Sequence, residues 1–153
     1  MQVVNLSRSG ATIRDLLNMQ LPRLRELRPD VVTVAIGGND VRSFERARFA
    51  ADVDELAAAL PPNTYVADVP DFMHGRWENR AEEAGGILAA SAGAQHLRIV
   101  RLHDMQRTRG PGAMLTDFAA DWFHPNDRGH RVWADAFWNV LKNSPALRAE
   151  APG

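Results

Sequence analysis

The sequence predicts an α/β fold in which helices cover both faces of a parallel sheet, giving a three-layer α/β/α sandwich. Short apolar segments rich in β-branched residues occur at residues 31–36, 64–69 and 97–102, and segments with helical periodicity separate them. Alternation of strands and helices requires crossover connections, and these align the strands in parallel. The segment Val-Val-Thr-Val-Ala-Ile at 31–36 is typical of a strand buried on both faces.

Composition limits the possible functions. The chain has 153 residues, enough for one core, and we expect a single domain over residues 1–144 with a tail at 145–153. A net charge of -1 gives no electrostatic basis for binding nucleic acid or an anionic membrane. The absence of cysteine excludes disulfides, thiolate metal sites and a cysteine nucleophile. No membrane-spanning run or signal peptide is recognisable, so the compartment stays open, with the cytoplasm as the default.

The first predicted elements are a strand at residues 2–6, a loop at 7–10 and a helical segment up to Leu27. Thr12 with Asp15 three residues later resembles a capping pair that starts a helix. Pro22 lies inside the apolar pattern, so we expect a kink or two consecutive short helices. Pro29 ends the segment.

The central predicted strand ends in Gly37-Gly38-Asn39-Asp40. In open α/β sheets the ligand crevice lies beyond the carboxyl ends of the strands. We therefore expect Asn39 and Asp40 at the mouth of a site, on backbone that the glycines allow to approach a ligand. The alternative is a simple turn between strand and helix, which these residue types also favour.

The rest of the chain continues the alternation. A helix is predicted through Phe49 and Leu60, a strand at 64–69, a segment of mixed character at 72–83, a weak helix at 84–94 and a strand at 97–102. A long loop is expected at 104–120. Asn126 is placed to cap a final helix that ends before Pro145. Its predicted buried face consists of Val132, Trp133, Phe137, Val140 and Leu141.

A second group of candidate residues precedes the final helix, in Asp121-Trp122-Phe123-His124-Pro125. A carboxylate three residues from a histidine can accept a hydrogen bond from the ring Nδ1–H, which leaves Nε2 able to take a proton from a nucleophile. The alternative is a helix-entry loop with a surface histidine. His103-Asp104 is the nearest rival pair, but adjacent residues of a strand point to opposite faces. His74, His96, His103 and His130 are scattered, so no clustered metal-ligand set is expected.

Three blocks in this order, Asn5–Gly10, Ile36–Asp40 and Asp121–Pro125, make the chain resemble the SGNH hydrolases, the GDSL-type esterases and lipases. The resemblance covers nearly the whole chain and implies a flavodoxin-like parallel sheet. It also implies that Asp121 and His124 are the acid and base of a Ser-His-Asp triad. Gly10 would give a backbone N–H, and Asn39 a side-chain amide, to an oxyanion hole. A neutral amide suits a developing alkoxide, because it avoids the cost of burying a charge.

The family's first block, Gly-Asp-Ser on the first strand, has no match in this sequence. We therefore expect the first strand to be missing and the chain as written to be inactive. Ser7 and Ser9 are only remote candidates for a nucleophile, since loop serines commonly stabilise turns and caps. Ser43, Ser91 and Ser144 have no supporting pattern.

Three interpretations remain open at this point. The chain is an ester hydrolase whose sequence record starts late, or a shortened relative that acts as a binding or assembly module, or an unrelated flavodoxin-like binder. The last lacks any Gly-rich phosphate loop. The joint presence of Asp121, His124, Asn39 and Gly10 favours the first interpretation, because a binding module does not need the acid–base pair.

The expected substrate is a small-molecule ester, with no metal or organic cofactor, since acyl transfer by a triad needs none. The segments 72–83 and 104–120 are expected to wall the crevice. Apolar residues in them are candidate acyl contacts or simple packing: Phe72, Met73, Trp77, Met105 and Met114. An unpaired sheet edge would favour a homo-oligomer.

Overall fold

A three-stranded parallel sheet lies at the centre of the structure, a computed structural model that describes residues 2–72 and 75–148. The strands are β1 (Val32–Val34), β2 (Thr64–Ala67) and β3 (Arg98–Val100), in the order β1-β2-β3. Val34 pairs with Val66, and Val66 with Ile99, so the three strands end together at one edge of the sheet. This confirms the parallel α/β architecture and three of the four predicted strands.

The helices form one layer on each face of the sheet. Their bounds are α1 (Ile13–Asp15), α2 (Leu21–Leu27), α3 (Arg46–Ala59), α4 (Gly75–Ala94), α5 (Leu102–Arg107), α6 (Ala113–Asp117), α7 (Asp127–Leu141) and α8 (Pro145–Arg148). Among the described residues, none of these helices combines the length and apolar character needed to cross a membrane.

Alternate residues of β2 face the two layers. Val66 packs in the larger core with Leu56 of α3 and Leu88 of α4, whereas Tyr65 and Ala67 belong to a second core with α7. Burying a side chain such as Leu56 contributes about 1.5–3 kcal/mol to folding. The predicted α/β/α sandwich is therefore confirmed.

The first helical segment begins and bends as the sequence predicts. The Thr12 backbone N–H and hydroxyl both donate to Asp15, whose own N–H points back to the Thr12 hydroxyl, which forms a capping box. A π-helical turn at Leu16–Gln20 separates α1 from α2, and Leu21 donates across it to the Leu16 carbonyl. Pro22 lies at the start of α2, where its missing N–H costs least.

Two predictions about strands are wrong. Residues 2–8 form no strand, and Val3 and Val4 are exposed, because no neighbouring strand in the described chain pairs with them. The segment is instead attached by Gln20, whose side chain donates to the Leu6 carbonyl at 2.8 Å. The central segment is also not buried on both faces: Thr33 of β1 is exposed, since α7 packs on β2 and β3.

Two segments predicted to be irregular are helical. α4 begins at Gly75, well before the predicted start at residue 84, so most of segment 72–83 is its first part. The expected long loop at 104–120 holds most of α5 and all of α6. Gly75 in the first segment and Gly110-Pro111-Gly112 in the second weaken the local helical signal, and tertiary packing decides the outcome. The final helix α7 is as predicted, capped by Asn126, whose side chain accepts from the N–H groups of Arg128 and Gly129.

Candidate active site

The loop between α6 and α7 is closed at its base by backbone pairing. Phe118 and Pro125 form an isolated antiparallel bridge, and the Ala119 N–H donates to the His124 carbonyl at 2.8 Å. The Asn126 N–H donates to the Asp117 carbonyl at 2.9 Å. These bonds hold both ends of the segment that carries Asp121 and His124, so the two side chains project from a fixed frame.

His124 and Asp121 form the predicted pair. His124 Nδ1 lies 2.6 Å from Asp121 Oδ2, while Asp121 Oδ1 accepts from the backbone N–H groups of Phe123 and His124 at 3.0 Å each. The bond from the imidazole, and then the two backbone bonds, hold the pKa of the Asp121 carboxyl well below its usual range. With Nδ1 engaged by this carboxylate, Nε2 is the ring nitrogen that can accept a proton.

Asn39 stands beyond the carboxyl end of β1, as predicted. Gly37 just before it has φ +97° and is packed closely by Val69 and Leu88, so a side chain there would be both strained and crowded. The Asn39 amide donates one N–H to the carbonyl of Ala11 at 3.0 Å. This bond fixes the side chain and leaves the amide a second N–H for a ligand.

Asn39 and His124 line the same cleft, of about 160 Å³, at the carboxyl edge of the sheet. The remaining lining comes from the first loop, the segment after β1, the loop after β2, the start of α5, the loop before α7 and the middle of α7. It comprises Arg8, Ala11, Ala35, Ile36, Gly37, Gly38, Asp68, Pro70, Phe72, Leu102, Phe123, Pro125 and Trp133. The fold thus unites the second and third sequence blocks.

Two residues expected near the site, Gly10 and Asp40, are not among the residues that line the cleft. Gly10 is not part of the cleft lining, although its neighbour Ala11 is, and its φ of +76° marks a turn in open space. Asp40 does not face the cleft; its carboxylate accepts from the Ile13 N–H at 3.2 Å and so helps to start α1. Burial raises the pKa of Asp40 to about 6, against the lowering effect of that hydrogen bond.

No hydroxyl or thiol belongs to the cleft lining within the part of the chain that the structure describes. Ser7 and Ser9 are exposed in the first loop, and the Ser7 N–H donates to the Asn5 side chain at 2.8 Å. Ser91 donates to Asp54, and Ser144 is buried beside the end of α7. The cleft therefore combines a base and an amide donor without a serine.

The candidate acyl contacts divide into three groups. Phe72 lines the cleft and stacks on Phe123, with ring centroids 4.7 Å apart. Trp77 meets the edge of Phe123 at 6.2 Å, and Met105 packs in the core beneath α7. Met73 lies outside the described residues, as does the side chain of Met114.

A second cluster of ionisable residues was not expected from the sequence. Asp71, Glu78 and His103 offer ligand atoms that all lie within 4.8 Å of one another, so the expectation of no clustered metal-ligand set is wrong. Burial, and then the neighbouring Asp71 carboxyl, raise the pKa of Glu78 to about 7. His103 is in helix α5 rather than in a strand. The one sequence signal for this cluster was that Asp71 follows β2 and His103 follows β3, two neighbouring strands.

Comparison with known proteins agrees with this architecture. Residues 1–132 match the family model described as the GDSL-like lipase/acylhydrolase family. No curated protein matches the sequence.

Several solved structures share the fold. LAE5, an alpha/beta hydrolase enzyme from the metagenome of Lake Arreo in Spain, is 25% identical with a TM-score of 0.76, over 92% of this chain and 73% of that one. Axe2-W215I, an acetyl xylan esterase from Geobacillus stearothermophilus, is 22% identical with a TM-score of 0.80, over 92% of this chain and 72% of that one. The lipase/acylhydrolase from Enterococcus faecalis is 20% identical with a TM-score of 0.75, over 87% and 71%. Since the family model spans most of the sequence, the chain belongs to the GDSL-like lipase/acylhydrolase family, the SGNH hydrolases.

Proposed function

We propose that this chain carries the acid–base and oxyanion-binding parts of an ester hydrolase. One observation carries the proposal: Asn39 and His124, far apart in sequence, line one cleft at the carboxyl edge of the sheet. His124 is oriented by Asp121, and Asn39 by the Ala11 carbonyl. A base and a neutral donor on one cleft are the groups that acyl transfer needs around a carbonyl.

Each group has a defined step in this reaction. His124 Nε2 takes the proton of a hydroxyl nucleophile as its oxygen attacks the ester carbonyl, and the Asp121 carboxylate stabilises the imidazolium. The Asn39 amide donates its second N–H to the alkoxide of the tetrahedral intermediate. The family resemblance assigns the Gly10 N–H as its partner in this role; Gly10 is next to Ala11, which lines the cleft. His124 then gives the proton to the leaving alcohol.

The printed names of the neighbours support an ester as the substrate. Axe2-W215I is an acetyl xylan esterase, and the Enterococcus faecalis protein is a lipase/acylhydrolase. No metal or organic cofactor enters the steps above.

We further propose that the chain alone forms no acyl-enzyme, because its five serines all lie outside the cleft lining. The test is intact-mass analysis and peptide mapping after treatment with a fluorophosphonate probe, on the unaltered chain and on Ser7→Ala, Ser9→Ala and His124→Ala. No labelling of the folded protein is expected. Labelling at Ser7 or Ser9 that requires His124, or hydrolysis of an acetyl ester that requires it, would contradict this part.

The hydrolase assignment has its own test. The chain is extended at its amino end by a strand, ending in Gly-Asp-Ser, and a crossover helix from a family member, and is assayed on p-nitrophenyl acetate. Activity lost in His124→Ala and reduced about 10²–10³-fold in Asn39→Ala is expected. His130→Ala, an exposed histidine on α7, is the matched control. A folded, extended protein without activity would contradict the assignment.

The second candidate is a non-catalytic binding or assembly module on the same fold. It is favoured by the lack of a hydroxyl in the cleft lining of the described chain. The two functions differ in what they require of His124: a binding module keeps its ligand affinity in His124→Ala, whereas the hydrolase loses its activity.

A further inference from the structure

Asp71, Glu78 and His103 meet in the interior from three separate parts of the fold. Asp71 follows β2, Glu78 lies in the first turn of α4, and His103 in the first turn of α5. Asp71 is 4% exposed and His103 8%, yet one ligand atom from each residue lies within 4.8 Å of the others. Two carboxylates and an imidazole in such proximity are a donor set for a transition-metal ion.

The polar atoms of the buried His103 ring are poorly satisfied by the protein. His103 Nε2 lies 3.3 Å from Glu78 Oε1. Nevertheless, within the described chain neither ring nitrogen of His103 makes a well-formed hydrogen bond. Leaving a buried polar atom unpaired is unfavourable, so two such atoms on one buried side chain indicate an additional ligand.

The charge of the cluster indicates what that ligand is. Arg107 approaches both acids, at 3.7 Å from Asp71 Oδ2 and 4.0 Å from Glu78 Oε1, distances too long for hydrogen bonds. More than half of the Arg107 side chain is exposed, so it can move outward without losing a buried position. A divalent cation would neutralise two ionised carboxylates and give the imidazole an electron-pair acceptor, which Arg107 cannot do.

We propose that Asp71, Glu78 and His103 bind one divalent transition-metal ion, with Zn²⁺ as the best match. Zinc accepts nitrogen and carboxylate oxygen ligands at about 2.0–2.2 Å, and the three side chains offer one such atom each within 4.8 Å of one another. The ion lies outside the cleft lining, since none of the three residues belongs to it.

The ion would stabilise the wall of the cleft. Phe72, the residue after Asp71, lines the cleft and stacks on Phe123 beside His124. The backbone N–H of His103 donates to the carboxylate of Asp68 at 2.9 Å, and Asp68 also lines the cleft. Metal binding thus ties the ends of β2 and β3 to α4 behind the proposed active site, and its role is structural.

The test is calorimetric titration of the chelator-treated chain with ZnCl₂, combined with thermal unfolding with and without zinc. One Zn²⁺ per chain and a higher Tm with zinc are expected. His103→Ala and Glu78→Gln should each weaken binding at least about tenfold, because even residues that only support a ligand cost 10–100-fold. His130→Ala and His124→Ala should bind zinc like the unaltered chain.

Glu78→Gln keeps the size of the side chain and guards against misfolding of His103→Ala. Cobalt substitution gives an independent spectroscopic reading: a ligand-field band is expected in the unaltered chain and should be lost in both variants. Absence of stoichiometric zinc binding, binding that persists in both variants, or binding that depends on His124 would each overturn the proposal.

Discussion

The ring of Phe72 lies nearly parallel to that of Phe123, with centroids 4.7 Å apart and an interplanar angle of 6°. Phe72 follows β2 and is 1% exposed, whereas Phe123 belongs to the loop before α7 and immediately precedes His124. This contact joins the base-bearing loop to the sheet. The position of His124 therefore depends on a core residue some fifty positions earlier in the chain.

Replacing Phe72 by Leu should loosen this connection. Loss of the stacked ring is expected to lower the free energy of unfolding by about 1–3 kcal/mol and to shift the His124 side-chain resonances. Urea unfolding and NMR spectra measure the two effects. Phe49→Leu is the matched control, since Phe49 is also buried and packs on Phe44: it should lose similar stability and leave His124 unchanged. Equal His124 shifts in both variants would contradict the role given to Phe72.

Gly129 is required where α7 passes the end of α6. A Cβ at this position would lie 2.2 Å from the Asp117 carbonyl oxygen and 2.8 Å from Pro125. Gly129→Ala should therefore cost at least about 2–3 kcal/mol, by forcing apart the backbone that closes the His124 loop. Urea unfolding provides the measurement.

Gly86 in α4 is the matched control for this substitution, because nothing lies within 4 Å of a Cβ there. Gly86→Ala should be stabilising by about 0.5–1 kcal/mol, the ordinary gain from replacing glycine in a helix. A loss of stability in Gly129→Ala with a gain in Gly86→Ala would show that α7 passes too close to α6 for a side chain at residue 129. A mild effect at Gly129 would mean that α6 and α7 can separate freely.

Asp121 should stay ionised in acid as long as His124 is present. Its hydrogen bonds hold its pKa below the usual range, so its contribution to stability is present above the ordinary pKa of aspartate and is lost only as the pH falls through the lower folded value. Carboxyl ¹³C shifts should show the anion persisting at about pH 3, where an unperturbed aspartate is mostly protonated.

His124→Ala removes the largest cause of this shift and should move the pKa of Asp121 back toward its usual range. The return should be partial, because the N–H groups of residues 123 and 124 still point at Oδ1. His130→Ala should leave the titration of Asp121 unchanged. A titration of Asp121 that does not respond to the loss of the imidazole would show that the pair is not formed in solution.

Local signals predicted most of the fold. The Thr12–Asp15 capping box, the break at Pro22 and the Asn126 cap depend on residues a few positions apart, which a sequence displays directly. The strand predicted at residues 2–6 failed because a strand also needs a partner, and no local pattern shows whether one is beside it.

The candidate site divides in the same way. Asp121 and His124 are three residues apart, and their hydrogen bond could be inferred from spacing alone. Asp71, Glu78 and His103 meet only through the order of β2 and β3 and the angle of α4, so their spacing in sequence carries no signal. Gly10 was assigned to the oxyanion hole by resemblance and stays a prediction, while its neighbour Ala11 lines the cleft.

The raised pKa of Asp40 should make the stability of the protein depend on pH in the opposite direction to the lowered pKa of Asp121. Its folded pKa of about 6 lies above the ordinary 3.8, because the carboxylate is partly buried at the start of α1. The neutral form is therefore favoured by folding, so its contribution is fully present below about pH 4 and is lost as the pH rises through about 6. The difference between the folded and ordinary pKa values corresponds to a change in the free energy of unfolding of about 3 kcal/mol at most. Because the carboxylate is partly exposed, we expect a change of about 1–2 kcal/mol.

Asp40→Asn removes this loss, because the amide is neutral at every pH and its oxygen can still accept from the Ile13 N–H. Compared with the unaltered chain, the variant should gain about 1–2 kcal/mol between pH 4 and pH 7.5 in urea unfolding. Asp30→Asn, at an exposed position before β1, is the matched control and should follow the unaltered chain across the same range. If the stability difference between Asp40→Asn and the unaltered chain stayed constant with pH, the carboxylate would not be desolvated in the folded protein.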